Sequence, residues 1–469
     1  MTLKNDFESH KKKQYENMYT DHNIFCCNIE LKPTFSNITK FNYIEPIKLL
    51  SNIYKKSIPN YYEELISKYE KTKLNIPLYI KNSDYDLDEI MMQYVKCFDE
   101  MVVMIVWPSC KIKELDKTDF YNNIQTNGTI HAIKELDLTG RQMAGLIYQV
   151  YYDKPTFKDL QSIDGKLRQI DGKNSFNKIF IIFYEPSDIK LITGTDAPFK
   201  IKLRKILSND PDRKLNSFLH VSDTHTHVCE LAELFCNKNS LRTLQYQRLD
   251  RLFKYKFYNS LSLFMTYKKW LYENTESKFH GKFMIFSSMV LYSHGLREAH
   301  DLDLIVYKDD DIENKKIIDK LRLKYPFIET QMKIGDMWYN NDTPQEYMSE
   351  WFDKEWPAMY GARSMDDTII NPRFHGYYFG IKIISSAADI QRRIQRCRPA
   401  AYADLIALMI LTKQDIKIPK LPEGFWEQHV YYNFDDRNKI KLVKTVVHYL
   451  KNRYNISVTT ENVKKYLNL

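Results

Sequence analysis

Residues 285–307 read IFSSMVLYSHGLREAHDLDLIVY. An apolar run stops at Ser287-Ser288, a mixed stretch of twelve residues follows from Met289 to His300, and a second apolar run opens as Asp301-Leu302-Asp303-Leu304. Side chains on a strand alternate faces with a period of two, so Asp301 and Asp303 project together, opposite the two leucines. Carboxylates so close repel unless a cation or a basic group sits between them. The stretch therefore predicts strand, turn, helical segment and strand, with a cation-demanding pair of aspartates where the second strand begins.

The rest of the chain sets the frame for that unit. Its 469 residues suit several domains. With 43% hydrophobic and 28% charged residues the chain is neither disordered nor fibrous. No apolar run approaches the roughly 18 residues of a membrane span, and the N-terminus MTLKNDFESHKKKQYENMY lacks the apolar stretch of a signal peptide. The expectation is a soluble cytoplasmic protein without a membrane partner. Seven cysteines, at 26, 27, 97, 110, 229, 236 and 397, form no CxxC pair, which argues for reduced thiols over a zinc site or a disulfide framework. A net charge of +9 permits a phosphorylated ligand or a nucleic acid without demanding either.

Three segments are expected: 1–98, polar and mostly helical, of unknown role; 99–240; and 241–469. From Met101 the pattern alternates between a strand (MVVMIVWP), a helix (KTDFYNNIQTNG), a strand (TIHAIKELDL), a helix opened by Thr139, and a strand (KIFIIFYEP). LHVSDTHTHVCELAELFCN then reads as a turn leading into an amphipathic helix. Residues 240–275 read as helix with little glycine or proline, HGYYFGIKII as a strand, and QRRIQRCRPAAYADLIALMIL as a helix. The fold class expected is α/β and α+β multidomain.

The strand, Ser-Ser, helix and Asp-x-Asp arrangement resembles the nucleotidyltransferase superfamily, whose signature is an apolar strand, Gly-Ser or Gly-Gly, a helical turn and Asp-x-Asp on the next strand. The resemblance implies a mixed sheet with helices, catalytic Asp301 and Asp303 holding Mg2+ (or Mn2+), and Ser287 and Ser288 cradling the phosphates of a nucleoside triphosphate. The glycine is replaced, at Phe286 or Ser287. Glu329 and Asp336 are candidates for a third carboxylate. RIQRCRPAAYADLIAL resembles the helix of many small nucleotidyltransferase-like proteins, an Arg/Lys-rich start followed by an Asp, with Arg396, Arg398 and Asp404 at the matching positions, and Lys382 on the preceding strand is placed to face the same cleft; Lys382 and Arg398 are the candidate phosphate contacts. The arginines of 392–398 equally suit a solvated helix face.

Residues 102–235 resemble a nucleoside diphosphate kinase, a ferredoxin-like domain, through LTGRQMAGLIYQVYYDKPTF and SFLHVSDTHTHVCELAELF. By that resemblance His220 accepts a phosphoryl group, Ser222 and Asp223 follow it in the turn, and Tyr148 borders the nucleotide. Arg204 and Lys202 are candidates to neutralise phosphate, and Glu230 or Glu233 to orient the imidazole. Trp107, Val221 and Ser217 stand where that family has lysine, glycine and asparagine. His225 and His227 beside His220 raise the alternative of a metal cluster.

Together these readings imply a Mg2+-dependent nucleotidyltransferase, its acceptor a hydroxyl or phosphate on a small molecule or sugar phosphate, or on a nucleic acid, behind a kinase-like domain that binds nucleotide or transfers phosphate. Two alternatives stand beside it: an RNA-end polymerase of the poly(A) polymerase type, and a non-catalytic nucleotide-binding scaffold. The order of modules and the AT-rich coding bias resemble those expected of a large DNA virus, placing the protein in host cytoplasm, or of a bacterial surface-sugar gene cluster.

Overall fold

The computed structural model describes residues 61–67, 79–307, 319, 328–344, 356–418 and 436–469, apart from short breaks within these stretches. Most of the expected N-terminal segment, and Asp336, lie outside the described residues.

The first half runs β1 (Tyr79–Lys81), α1 (Tyr85–Lys96), β2 (Val102–Val106), α2 (Asp119–Thr126), β3 (Gly128–Asp137), α3 (Gly140–Tyr151), α4 (Leu160–Asp171), β4 (Lys178–Pro186), α5 (Pro198–Leu207), β5 (Leu219–Val221) and α6 (His225–Phe235). The strands form one sheet in the order β1-β3-β4-β2-β5, antiparallel throughout except where β1 pairs with β3. Alternation decides which helix covers which face. Val102, Met104 and Val106 pack with Phe120 and Ile124 of α2 and Phe199 and Leu203 of α5. Val103 and Ile105 face the other way, into a core with Leu146 and Ile147 of α3, Ile163 of α4 and Leu231 of α6. Both faces are buried, which is why β2 and β4 are written as unbroken apolar runs. α3 opens with a capping box in which Thr139 accepts from the Gln142 backbone and Gln142 accepts from that of Thr139.

The second half runs α7 (Lys238–Tyr246), α8 (Leu249–Leu252), α9 (Tyr258–Asn274), β6 (Phe283–Phe286), α10 (Ser288–Ser293), β7 (Leu302–Val306), β8 (Ile328–Ile334), β9 (Met337–Asn340), β10 (Thr343–Pro344), α11 (Trp356–Met359), α12 (Met365–Ile370), β11 (His375–Tyr378), β12 (Ile381–Ile384), α13 (Ser386–Arg396), α14 (Pro399–Thr412), α15 (Asp436–Tyr454) and α16 (Thr460–Leu467). Its sheet has the order β10-β9-β8-β7-β6-β12-β11, with β7 antiparallel to β6 and parallel to β8. One apolar cluster joins the two halves, from Val103 and Leu146 through Phe264 and Trp270 of α9 to Ile285 and Ile383. α14, α15 and α16 build a separate cluster that reaches Leu291 and Leu296. No described helix is long and apolar enough to cross a membrane.

Three elements differ from the sequence reading. The helix expected over 240–275 is broken into α7, α8 and α9, because the backbone N–H of Arg248 donates to His294 O and Gln247 Nε2 to Ser293 O, diverting the chain at 247–248. The single strand HGYYFGIKII is a hairpin, turned at Phe379 and Gly380, both with positive φ (50° and 75°). The helix from Gln391 to Leu411 is two, since Pro399 starts α14 and the residue before a proline avoids helical backbone. The expected boundary at 240/241 falls inside α7, whose Asn239 Nδ2 donates to the carbonyls of Pro372 and His375 while Ser240 Oγ accepts from the Tyr377 backbone.

A Cβ at Gly380 would lie 2.7 Å from Glu230 Cγ and 2.8 Å from the Tyr272 hydroxyl, at a φ that disfavours any side chain. Gly380→Ala is expected to destabilise the protein by about 1–3 kcal/mol, read as a lower urea midpoint at unchanged m-value.

Candidate functional site

The turn of residues 285–307 is built as its sequence suggests, with one addition. β6 ends at Phe286, and Ser287 takes φ 66°, ψ −121°, a region that costs a residue with a Cβ about 1–3 kcal/mol. Its carbonyl accepts from Arg393 Nη2 at 3.2 Å. Ser288, the first residue of α10, donates from Oγ to Asp301 Oδ1 at 3.2 Å. Leu302 and Leu304 are buried while Asp301 and Asp303 are half-buried, the alternation expected of β7. Phe286 of β6 lies level with Asp303, and on the other side Asp303 is level with Glu329 of β8. The loop before Asp301 is latched to α9, where Ser260 Oγ accepts from the Ala299 N–H and donates to its carbonyl.

The other residues assigned to this cleft go elsewhere. Lys382 is buried and donates to Gly281 O (2.8 Å) and Ile369 O (3.0 Å), towards the start of β6 and away from Ser287 at its end. Burial, against the pull of Glu89, brings its ammonium down to about 8. Asp404 is a structural acceptor, bound by Arg393 and the Tyr454 hydroxyl. Arg398 precedes α14 on the surface, and the half-buried Arg396 lies beside Arg392 and Tyr360. The arginine run is not a solvated face: Arg392 and Arg393 are 2% and 5% exposed, and both donate to Asp389.

A second cluster surrounds His220. β5 is an edge strand, and Ile105 of β2 is the register partner of His220. Leu219 and Val221 point into the α2–α5 side, so His220 turns to the face carrying α3, α4 and α6. There its ring meets Tyr151 and His227 edge-on, each at 5.2 Å between centroids. Nε2 is buried without a hydrogen-bond partner among the described residues. Burial, then the charges of His227, Lys200, Lys166 and Arg204, push the imidazole well below the ordinary histidine value, so it is neutral near pH 7. Lys166 donates to Asn216 O and is lowered to about 8 by burial and Arg204. Arg204 Nε donates to Leu219 O, and Lys200 Nζ donates to Asp223 Oδ1 at 2.7 Å. Such a neutral nitrogen beside basic side chains has the chemistry of a nucleophile or an anion contact.

Here too the assigned neighbours divide. Arg204 stays with His220, and Asp223 is held there by Lys200. Tyr148 does not border the site: its ring packs edge-on against Phe253 and Phe379, between the two sheets. Tyr151, three residues on, takes the place beside His220. Ser222 Oγ accepts from the Val103 N–H, and the Ser222 N–H donates to Val103 O, extending the sheet. Lys202 is exposed on α5, and Glu230 and Glu233 pair with Lys268 and Lys96. Sequence reading missed the roles of Tyr151, Lys166, Lys200 and Arg393, since each acts across the fold; Tyr151 and Arg393 stand within the stretches that carry the two resemblances, at positions to which neither gives a role. Among the described residues no three His, Cys, Asp or Glu side chains are grouped to hold a metal.

Two measurements follow from this geometry. Ser287→Gly is expected to raise stability by about 1 kcal/mol by relieving the backbone, seen as a higher melting temperature. Because folding keeps His220 neutral whereas the unfolded chain protonates it below about pH 6.5, His220 withdraws stability as pH falls through that value. Relative to His220→Gln, the wild type is expected to lose up to about 1.4 kcal/mol per pH unit below 6.5, read from urea midpoints. No family model, no curated protein and no solved structure matches the chain.

Proposed function

We propose that the second half is a Mg2+-dependent nucleotidyltransferase, transferring a nucleotidyl group from a nucleoside triphosphate to a hydroxyl or phosphate acceptor. The observation that carries this reading is the backbone of Ser287. It keeps a conformation suited to glycine at the position where the nucleotidyltransferase signature has its glycine. Three further features support it: Ser288 orients Asp301, Asp303 follows on β7 two residues later, on the same side of the strand, and the neighbouring parallel strand carries Glu329 at the level of Asp303. The donor oxygens of Asp301 and Asp303 suit a hard cation, so these two would hold Mg2+ or Mn2+, with Glu329 the position for a third carboxylate. Bound there, the ion would neutralise phosphate charge and favour the ionised form of the acceptor. The chain itself supplies position: Arg393 fixes the Ser287 carbonyl, and the Ser260 latch fixes the approach to Asp301.

For the first half, the reading is a ferredoxin-like domain of nucleoside diphosphate kinase type that binds nucleotide or transfers phosphate through His220. The connection β2-α2-β3, then β4-α5-β5, with the antiparallel order β3-β4-β2-β5, supports it. So do the lone Nε2 and the basic groups around His220.

One observation favours an RNA-end polymerase as the second reading. Lys441, Lys444, His448 and Lys451 are exposed on α15 at spacings of three and four residues, so they form one basic stripe, while Arg453 stacks on Tyr449 at 4.3 Å. Such a stripe follows a phosphate backbone.

Wild type with Mg2+ and labelled nucleoside triphosphates is expected to release pyrophosphate. Asp301→Asn/Asp303→Asn should lower the rate about a thousandfold, the loss of several kcal/mol of charge stabilisation. Equal rates in wild type and double variant, with any acceptor including a single-stranded RNA, would reject nucleotidyl transfer. Acid-labile γ-label bound to the protein and lost in His220→Ala would support the kinase-like half, and its absence would leave that half a binding module.

A further inference from the structure

Two strand-to-helix turns stand side by side at one edge of the second sheet. β6 and β12 are parallel neighbours, with Ile285 level with Ile383, and such strands lie about 5 Å apart. At that edge each runs into a helix that opens with serine: β6 into α10 at Ser288, and β12 into α13 at Ser386. The functions proposed above use the first turn and give the second no role.

Ser386 is half-buried, and its hydroxyl lies 2.9 Å from Nε2 of His294, the fully buried residue that follows α10. The other ring nitrogen decides the direction of that bond. Nδ1 of His294 is 2.8 Å from the carbonyl of Val290, which can only accept, so Nδ1 carries the proton. Ser293 Oγ, itself a donor to the same carbonyl, lies 3.2 Å from Nδ1. In the neutral ring Nε2 is left with its lone pair, and Ser386 donates to it. Burial holds the imidazole below the ordinary histidine value, against the pull of the Val290 carbonyl and Asp389, so the ring is neutral near pH 7.

These are the relations of a serine nucleophile: hydroxyl to base, and base to a group that fixes its tautomer. Buried Asp389, near the start of α13, supplies a negative charge that favours the ring once it is protonated. Capping does not explain Ser386, because Ser385 caps α13 by accepting from the Ala388 N–H. The N-terminus of the 11-residue α13 adds partial positive charge where an attacked group gains negative charge.

We propose that Ser386 is a nucleophile activated by His294, and that it takes the γ-phosphoryl group of a nucleoside triphosphate to become phosphoserine. Ser386 Oγ forms the bond to the γ-phosphorus and its proton passes to His294 Nε2. The bond from the γ-phosphorus to the bridging oxygen breaks, and its electron pair leaves on the nucleoside diphosphate. The identity of the phosphoryl donor rests on the nucleotidyltransferase reading. With the α-phosphate at the aspartates of β7 and the outer phosphates at the Ser287–Ser288 turn after β6, the phosphate chain runs towards β12, next in the sheet. The pairing of Ser386 with His294 does not depend on that reading.

The test treats the full chain separately with a fluorophosphonate probe and with γ-labelled ATP and Mg2+, and locates the modified residue by mass spectrometry of its peptides. The probe, which needs no nucleotide, is expected on Ser386, and His294→Gln should slow its attachment about a hundredfold or more, the usual contribution of a general base. From ATP, Ser386 is expected to gain phosphate that survives acid, unlike phosphohistidine, and Ser386→Ala should lose it. Failure of the probe to reach Ser386 in the wild type, which needs no variant to fold, would overturn the dyad, as would equal labelling rates in wild type and His294→Gln. Probe on Ser386 without phosphate from ATP would overturn the phosphoryl donor. Pyrophosphate release measured in the same sample tells that failure from a failure of the nucleotidyltransferase reading.

Discussion

Arg393 holds together more of the second half than any motif does. Buried on α13, its guanidinium donates to Asp389 one turn back, to Asp404 on α14 and to the carbonyl of Ser287 after β6. Asp404 in turn accepts from Tyr454 near the end of α15, so one cation orders three helices and the turn. A buried ion group of this kind contributes little net stability compared with apolar packing. Breaking it is costly, because removing one partner leaves the others charged and dry, about 3–5 kcal/mol. Its contribution is geometric: the Ser287 backbone stays in an unfavourable conformation because the surrounding contacts over-determine it.

The same logic joins the two sheets. α7 is too polar to be a simple hydrophobic spacer, and its Asn239 and Ser240 are spent on the backbone around β11. A largely buried charged pair crosses the seam, Lys268 of α9 with Glu230 of α6 at 2.7 Å, while the pairs Lys96–Glu233 and Lys134–Asp88 are buried within the first half. Paired charges in a dry seam tolerate little relative displacement, since separation exposes each to the full cost of desolvation. The halves therefore behave as one packed body around α7 and α9. The face around His220 owes its shape to that packing.

Legibility in the sequence followed the range of the forces involved. Strands β2, β3, β4, β6 and β7 and helices α3 and α6 were readable, since alternation, apolar runs and the Thr139 cap are local. The 240–275 helix was misread because its break depends on the Gln247 contact with Ser293 and Tyr378, remote in sequence. Asp301 and Asp303 were legible as a pair because a strand's period needs no tertiary information. Lys382, Tyr148 and Asp404 were not, because the right residue type at the right spacing does not say which end of a strand or side of a helix a long side chain will follow. The partners that matter to His220, namely Tyr151, Lys166 and Lys200, come from three different helices.

The backbone of the Ser287 turn stands out against the chain's sparing use of glycine. The chain has 13 glycines in 469 residues. Among the described residues, left-handed backbone falls on six non-glycine residues and four glycines. Three of the six are mild: Lys111, Lys413 and Asn468 end helices with ψ between 28° and 40°, the ordinary left-handed cap. Ser287, with ψ −121°, is different, because a Cβ there is strained and no cap requires it. A site that had lost its use would be free to relax this turn into an unstrained one, yet the strain remains and is clamped by Arg393. On the proposed nucleotidyltransferase reading, the absent glycine is thus weak evidence of decay, since that reading asks for a backbone shape at this position and the chain has it with serine.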